Sequence, residues 1–206
     1  MPRAAENYLR MAMGQKRLRG IEWAVNFDCF ATCGHCSIQH LGAKHPDRPP
    51  MTVEQMQDGL RQCIELGALN INITGGEALL VPFLPEIVAA CEPRRTVVSL
   101  ATNGAPITPK TAANLAKWGV SIVTMSIDSA DPERHDKSRG VKGCFKRLMD
   151  AIDFFAGGRR GGFSLHDSHE AKYARRGHGP NDRPRRGKGR DADGQSAVRS
   201  GRLGRR

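Results

Sequence analysis

The 206-residue chain has no long hydrophobic run. No uninterrupted apolar stretch approaches the roughly 20 residues that cross a bilayer, so no membrane partner is expected. The opening Met1-Pro-Arg-Ala-Ala-Glu-Asn-Tyr-Leu-Arg10 lacks an apolar core of signal-peptide length, which argues against export. The six cysteines are therefore expected in a reducing cytoplasm, where clustered thiols bind metal rather than pair as disulfides. After the first cysteine cluster no second one follows, so a further metal domain within the chain is not expected. Apolar periodicity is missing too from residues 157–206, which hold 11 glycines.

Charge is just as uneven. The formal +11 divides into +9 over residues 157–206, with 14 Lys and Arg against 5 Asp and Glu, and +2 over the first 156 residues. The basic character thus describes the tail. Composition makes residues 157–206 a solvated, disordered segment that cannot bury a core. Nonspecific nucleic-acid binding by that tail is the competing reading, and no specific nucleic-acid partner is expected.

Between these ends the pattern alternates. Residues 1–17 read as a basic extension with a short helix over 5–17, and residues 18–156 as the organised body. Strands are expected over 21–28, 69–74, 97–101 and 120–127. Thr52 is placed to cap a helix that runs to Leu66 and stops at Gly67. A helix follows over 82–91. Thr108-Pro109 opens another that Gly119 ends, with proline at its first position. The last helix, 142–156, groups Phe145, Leu148, Met149, Ile152 and Phe155 on one face. Alternating strands and helices with short links imply parallel βα units, of which four are counted. Cys63, Cys91 and Cys144 read as packing residues, and Trp23 and Trp118 as core filling or cover.

The remaining three cysteines form Cys29-x3-Cys33-x2-Cys36, directly after the first strand. Three thiolates this close can hold one iron–sulfur cluster while leaving one iron of a four-iron cluster without a protein ligand, and an open iron is a place for chemistry. The competing reading is zinc. Cys33-x2-Cys36 is half of many zinc knuckles, and His35, His40 and His45 would have to complete the site.

Further motifs follow at the ends of successive strands. They are Thr74-Gly-Gly-Glu77, Ser99-Leu-Ala-Thr-Asn-Gly104, Ser126-Ile-Asp128 and His135-Asp-Lys-Ser-Arg-Gly140. Alone, Gly75-Gly76 is a turn, Glu77 a helix-start acid favoured by the dipole, and Thr102-Asn103-Gly104 a turn. Asp128 and Ser129 then simply begin the loop before Pro132, and Arg139 is a surface arginine. Together and in this order they resemble the radical S-adenosylmethionine (radical SAM) superfamily over residues 18–156.

The resemblance implies an incomplete α/β barrel of parallel units, about six in the family. It implies a [4Fe–4S] cluster on Cys29, Cys33 and Cys36, and S-adenosylmethionine chelated at the open iron. Reductive cleavage would give a 5′-deoxyadenosyl radical that abstracts hydrogen from an unknown small-molecule or peptide substrate. The electron would come from a donor such as flavodoxin or ferredoxin. Gly75, Gly76 and Glu77 would receive the methionine amino group, and Arg139 its carboxylate. Thr102 and Asn103 would face the cofactor, Ser126 and Asp128 its ribose or the substrate, and His35 the adenine. No individual catalytic residue is implied.

Two departures stand out. Ala78 occupies a position where the family commonly has proline, and nothing after residue 156 matches the family's later strands or its adenine-binding motif. Missing strands expose a barrel edge, which predicts low solubility. A truncated chain that binds a cluster but cannot turn over is therefore an alternative, as is a zinc-bearing module that binds nucleic acid through its tail. The tail also reads as an out-of-frame translation. Shifting His166-Asp-Ser-His-Glu-Ala-Lys-Tyr-Ala174 by one base permits Thr-Thr-Leu-Thr-Lys-Arg-Asn-Met, which resembles a strand end and turn of many relatives. A stop codon soon after the shift in the gene would refute this.

Overall fold

A computed structural model describes residues 6, 9–38, 49–157 and 162–167. Its centre is one sheet of five parallel strands in the order β1-β2-β3-β4-β5. These are β1 (Gly20–Ala24), β2 (Asn70–Thr74), β3 (Val97–Thr102), β4 (Ile122–Ile127) and β5 (Gly162–Asp167). The helices are α1 (Val53–Glu65), α2 (Leu84–Ala90), α3 (Pro109–Trp118), α4 (Pro132–Arg139) and α5 (Cys144–Gly157). Sequential strands that are neighbours and parallel, with helical crossovers, form a partial barrel wall. The parallel α/β architecture is as expected.

Local chemistry explains the starts of the helices. Thr52 and Gln55 form a capping box at α1, and Thr108 accepts the Thr111 N–H at α3 with Pro109 in the first turn. Asp131 caps α4 by accepting the Glu133 and Arg134 N–H groups. Within the expected 5–17 helix, residues 6 and 9–12 are helical among the described residues, and the chain turns at Gly14.

Side-chain alternation divides the sheet into two faces. Ile71 and Ile73 of β2, Val98 and Leu100 of β3, and Val123, Met125 and Ile127 of β4 pack under Leu60, Ile64, Ile87, Val88, Leu115 and Leu148 of the helices. Trp23 joins this layer against Gly59 of α1, where an added Cβ would lie 2.7 Å from the indole. Cys91 and Cys144 are buried as packing residues, and burial pushes the Cys91 thiol up to about 12. On α5 the fully buried stripe is Cys144, Leu148 and Ala151, so the inward face is turned slightly from the expected one. Phe145, Ile152 and Phe155 flank it, and Met149 does not join the core.

One expectation needs correction. A fifth strand exists inside the segment 157–206. β5 pairs in parallel with β4 from Ile122↔Gly162 to Ile127↔Asp167. The free edge of β4 supplies the backbone partners, so six residues of alternating Gly-Phe-Ser-Leu-His-Asp suffice without a long apolar pattern. Asp128 and Ser129 do begin the loop before Pro132, and Pro132 then opens α4, a helix with almost no apolar residue that the apolar pattern does not announce. The rest of the tail, residues 168–206, and both His40 and His45 lie outside the described residues. Among the described residues no helix is long and apolar enough to cross a membrane.

Candidate functional site

Four strands deliver the chain to the same end of the sheet. The segments leaving β1, β2, β3 and β4 carry every residue singled out from the sequence. Ligands of parallel α/β folds gather at that end.

The loop after β1 holds Cys29, Cys33 and Cys36 as free, partly exposed thiols. The Ala31 N–H donates to Cys29 Sγ at 3.4 Å. Arg139 Nη1 donates to Cys33 Sγ at 3.8 Å, and the Thr32 N–H donates to the Arg139 carbonyl at 3.0 Å. Gly140 follows with φ +65°, and a Cβ there would lie 2.0 Å from Thr32 Oγ1. The end of α4 is thus fitted closely against the cysteine loop. Among the described residues no three His, Cys, Asp or Glu side chains are gathered as one metal ion requires. In a cluster each thiolate binds a different iron, so its ligands stand further apart than those of a tetrahedral zinc.

Gly75-Gly76-Glu77 is stitched to the same loop. The Gly76 N–H donates to the Asn26 carbonyl at 3.0 Å, and the Glu77 N–H donates to that of Asp28 at 2.8 Å. Asn26 adds its side chain: Nδ2 donates to the Glu77 carbonyl at 3.1 Å, and Oδ1 accepts the Gly76 N–H at 3.2 Å. A Cβ on Gly76 would sit 2.2 Å from the Asp28 carbonyl oxygen, and Gly75 has φ +148° with Asn26 Oδ1 2.5 Å from its Cβ position. The close approach that demands glycine here is between two loops of the chain itself.

Glu77 is 1 % exposed. Its Oε1 accepts the Thr102 hydroxyl at 2.8 Å and the Leu79 N–H at 3.2 Å, and its Oε2 accepts the Asn103 N–H at 3.0 Å. Burial pushes this carboxyl above the usual range, while the Asn103, Thr102 and Leu79 donors pull it back. Glu77 therefore ties the end of β2 to the end of β3. The Thr102 hydroxyl is spent on Glu77 and on accepting the Gly104 N–H. Asn103 Oδ1 accepts the Ala105 N–H, but its Nδ2 is buried without a partner.

At β4 the Asp128 carboxylate accepts Arg139 Nη2 at 2.6 Å and the Ser138 hydroxyl at 2.7 Å. Its N–H donates to His135 Nδ1 at 3.2 Å. Arg139 is 8 % exposed, and its Nε is a second buried donor without a partner. The structure places this guanidinium on Asp128 and Cys33. Fully buried His135 stacks edge-on against Phe145, and desolvation and Arg139 hold its pKa below normal. Ser126 is half-buried on the face turned from the helices, and His35 is exposed on the cysteine loop.

The arrangement fits the implied groups. Three free thiols have an N–H and a guanidinium directed at two of their sulfurs, as thiolates favour. Two buried donors, Asn103 Nδ2 and Arg139 Nε, have N–H groups without a partner and open to the acceptor oxygens of a ligand. Sequence reasoning missed Asn26, Thr32 and His135 as positioning residues. Asn26 announced itself only as a polar residue closing an apolar run. Asp131-Pro132 was a readable cap signal for the helix that carries His135 and Arg139.

An open wall of parallel βα units with three thiols and a Gly-Gly-Glu loop at one end defines a cofactor-binding enzyme scaffold. The Radical SAM superfamily profile matches residues 24–158, and the chain belongs to that superfamily. It is 31 % identical over 137 residues to the AdoMet-dependent heme synthase of Methanosarcina barkeri, covering 66 % of this chain and 38 % of the relative. It is 30 % identical over 138 residues to a probable GTP 3′,8-cyclase of Methanocella arvoryzae, covering 67 % and 43 %. The mycofactocin maturase MftC of Mycolicibacterium smegmatis is 29 % identical over 133 residues, covering 65 % and 33 %. The chain therefore spans less than half the length of these relatives. Among solved structures, Streptococcus suis SuiB bound to precursor peptide SuiA superposes with a TM-score of 0.61 at 20 % identity, covering 77 % of this chain and 35 % of that one. Methylornithine synthase (PylB) gives 0.57 at 14 %, covering 82 % and 52 %, and both support the fold.

Proposed function

We propose that Cys29, Cys33 and Cys36 hold a [4Fe–4S] cluster and that the chain uses it to cleave S-adenosylmethionine for hydrogen abstraction from a substrate. Held by Cys29, Cys33 and Cys36, such a cluster would supply the single electron for reductive cleavage of the carbon–sulfur bond of S-adenosylmethionine, and with it hydrogen abstraction from the substrate. The observation that carries this reading is the set of three free thiols fitted between the Gly-Gly-Glu loop and Arg139.

The chain's own residues divide the work. Asn26, Gly75, Gly76 and Glu77 fix the height of the cysteine loop above the strand ends. The Arg139 guanidinium offsets thiolate charge at Cys33 while Asp128 holds it in place. Asn103 Nδ2 and Arg139 Nε offer the buried donors for carboxylate or ribose oxygens, and Glu77 Oε2, which accepts a single bond, keeps a lone pair for an ammonium. Thr102 acts through Glu77 as a positioning residue. Ser126 and Asp128 lie toward the substrate side, and exposed His35 is available to the adenine.

Relatives and neighbours include a maturase, a nucleotide cyclase and an enzyme bound to a precursor peptide, so the substrate is a small molecule or a peptide. The electron comes from a flavodoxin- or ferredoxin-type donor in a reducing cytoplasm.

Anaerobic reconstitution with iron and sulfide, followed by dithionite and S-adenosylmethionine, tests this. Formation of 5′-deoxyadenosine that disappears in Cys33→Ala is expected. A bound zinc without sulfide would overturn the reading.

A further inference from the structure

The face of the sheet turned away from the helices is arranged in rows. The bottom row is Gly20, Asn70 and Val97, in register, and with Met11, Leu18, Leu69 and the cationic Arg19 it borders a cavity of about 330 Å³. This cavity lies at the opposite end of the strands from the cysteines. The next row is Glu22, Asn72 and Ser99, also in register, closed on β4 by Ile122. Above it come Ala24 with Thr74 and Ala101 with Thr124, all small. Ser126 stands in the row above that. Two residues of a strand rise about 6.6 Å, so the Glu22 row lies roughly 13 Å below Ser126, with only small side chains between.

The polar part of that second row is an ordered chain of hydrogen bonds. The Ser99 hydroxyl donates to Asn72 Oδ1 at 3.0 Å, and Asn72 Nδ2 donates to Glu22 Oε2 at 2.6 Å. Ser99 thereby sets the direction of the Asn72 amide, and Asn72 orients the carboxylate. Glu22 Oε1 has no partner among the described residues. Alternation gives the helix-free face of β1–β4 one charged side chain, Glu22, and no Lys or Arg. A carboxylate held by a neutral network, with one oxygen open, selects for a cationic donor. It opposes a polyanion by like-charge repulsion.

We infer that Glu22, oriented by Asn72 and Ser99, is the specificity-determining floor of the substrate site and takes a substrate bearing a guanidinium or ammonium group. The inference rests on the cofactor reading above, which puts the reacting centre at the top of the same face. The cation is carried either by a small molecule or by an Arg or Lys side chain of a peptide. A nucleoside triphosphate is disfavoured, which separates this chain's substrate from that of the GTP cyclases among its relatives.

The test is ligand-observed NMR on the full 206-residue chain with agmatine, a blocked Gly-Arg-Gly peptide and GTP as probes. Agmatine or the peptide should bind, GTP should not, and Glu22→Gln should weaken cation binding about tenfold or more. Glu22 is exposed and glutamine preserves an oxygen for Asn72, so this variant keeps the fold, which thermal unfolding verifies. Binding of agmatine alone assigns the cation to a small molecule; binding of the peptide assigns it to a side chain. Unchanged binding in Glu22→Gln, absence of any cation binding, or tighter binding of GTP would overturn the inference. The 5′-deoxyadenosine assay separates the two readings. Cleavage without Glu22-dependent binding removes the floor alone. Glu22-dependent binding in a chain that never cleaves the cofactor leaves the floor standing and removes the cofactor reading.

Discussion

The two faces of the sheet come from alternate residues of the same strands, yet they are built for different ends. Toward the helices β3 presents Val98 and Leu100, both fully buried in the core cluster. Away from them it presents Ser99 and Ala101, and β2 likewise sets Ile71 and Ile73 against Asn70 and Asn72. One face buries apolar area and supplies stability. The other keeps polar groups in ordered bonds and leaves room. A strand buried on both faces is normally apolar throughout. Alternation in a parallel sheet therefore marks a face reserved for something other than core.

The largest expected effect breaks the stabilising face. Leu100→Ala should lower unfolding free energy by about 3 kcal/mol in urea titration, since the side chain is fully buried and the site cannot collapse around the loss. Ser99→Ala, one residue away on the other face, removes one hydrogen bond and should cost about 1 kcal/mol or less. Equal losses would show that both faces are core. Next comes the junction at the strand ends. Gly76→Ala drives a methyl into the Asp28 carbonyl and should cost about 2 kcal/mol while displacing the cysteine loop. Iron and sulfide content after reconstitution should fall with it, whereas Leu100→Ala should retain the cluster at temperatures where it stays folded.

A smaller effect concerns His135. Its folded pKa lies below the unfolded value near 6.5 because burial and Arg139 disfavour the cation. The unfolded chain then binds more protons in that window. Stability is complete above the unfolded pKa and declines as pH falls through the folded one. His135→Phe should remove that slope from a pH series of thermal unfolding below about pH 6.5. A slope unchanged in the variant would assign it elsewhere.

Why some of this was legible and some was not follows from particular elements. β2, β3 and β4 were readable because each has a β-branched or apolar run that ends in turn chemistry. α1 and α3 were readable from Thr52 and Thr108, whose caps are local. β5 was not. An edge strand borrows its hydrogen bonds from β4, and six residues that follow a glycine-rich stretch carry too little period to notice. α4 hid for a different reason: Pro132–Arg139 has no apolar stripe, and its two inward residues, His135 and Arg139, are polar. At the site the motif residues were legible, but the bonds that join them to one another and to the first loop were not. Glu77 and the glycines touch Thr102, Asn103, Asn26 and Asp28, contacts spanning about 25 to 50 positions that one sequence cannot display.

The smallest prediction sharpens the comparison where α4 meets α5. Asp136 accepts the Phe145 N–H at 2.8 Å and the Gly143 N–H, so a side chain of one helix caps the start of the next. The Phe145 N–H chiefly, with that of Gly143, holds its carboxyl below the usual range. A depressed folded pKa means that the contribution is present above the unfolded value near 3.8 and is lost as pH falls through the folded one. Asp136→Asn keeps one acceptor and loses the charge at a helix N-terminus, so it should cost less than about 1 kcal/mol at neutral pH. That difference should shrink toward zero in acid, in a window separate from that of His135. If Asp136→Asn instead steepens the decline near pH 6, the two residues titrate as one network, and the cap of α5 is part of the device that holds Asp128 and Arg139 at the site.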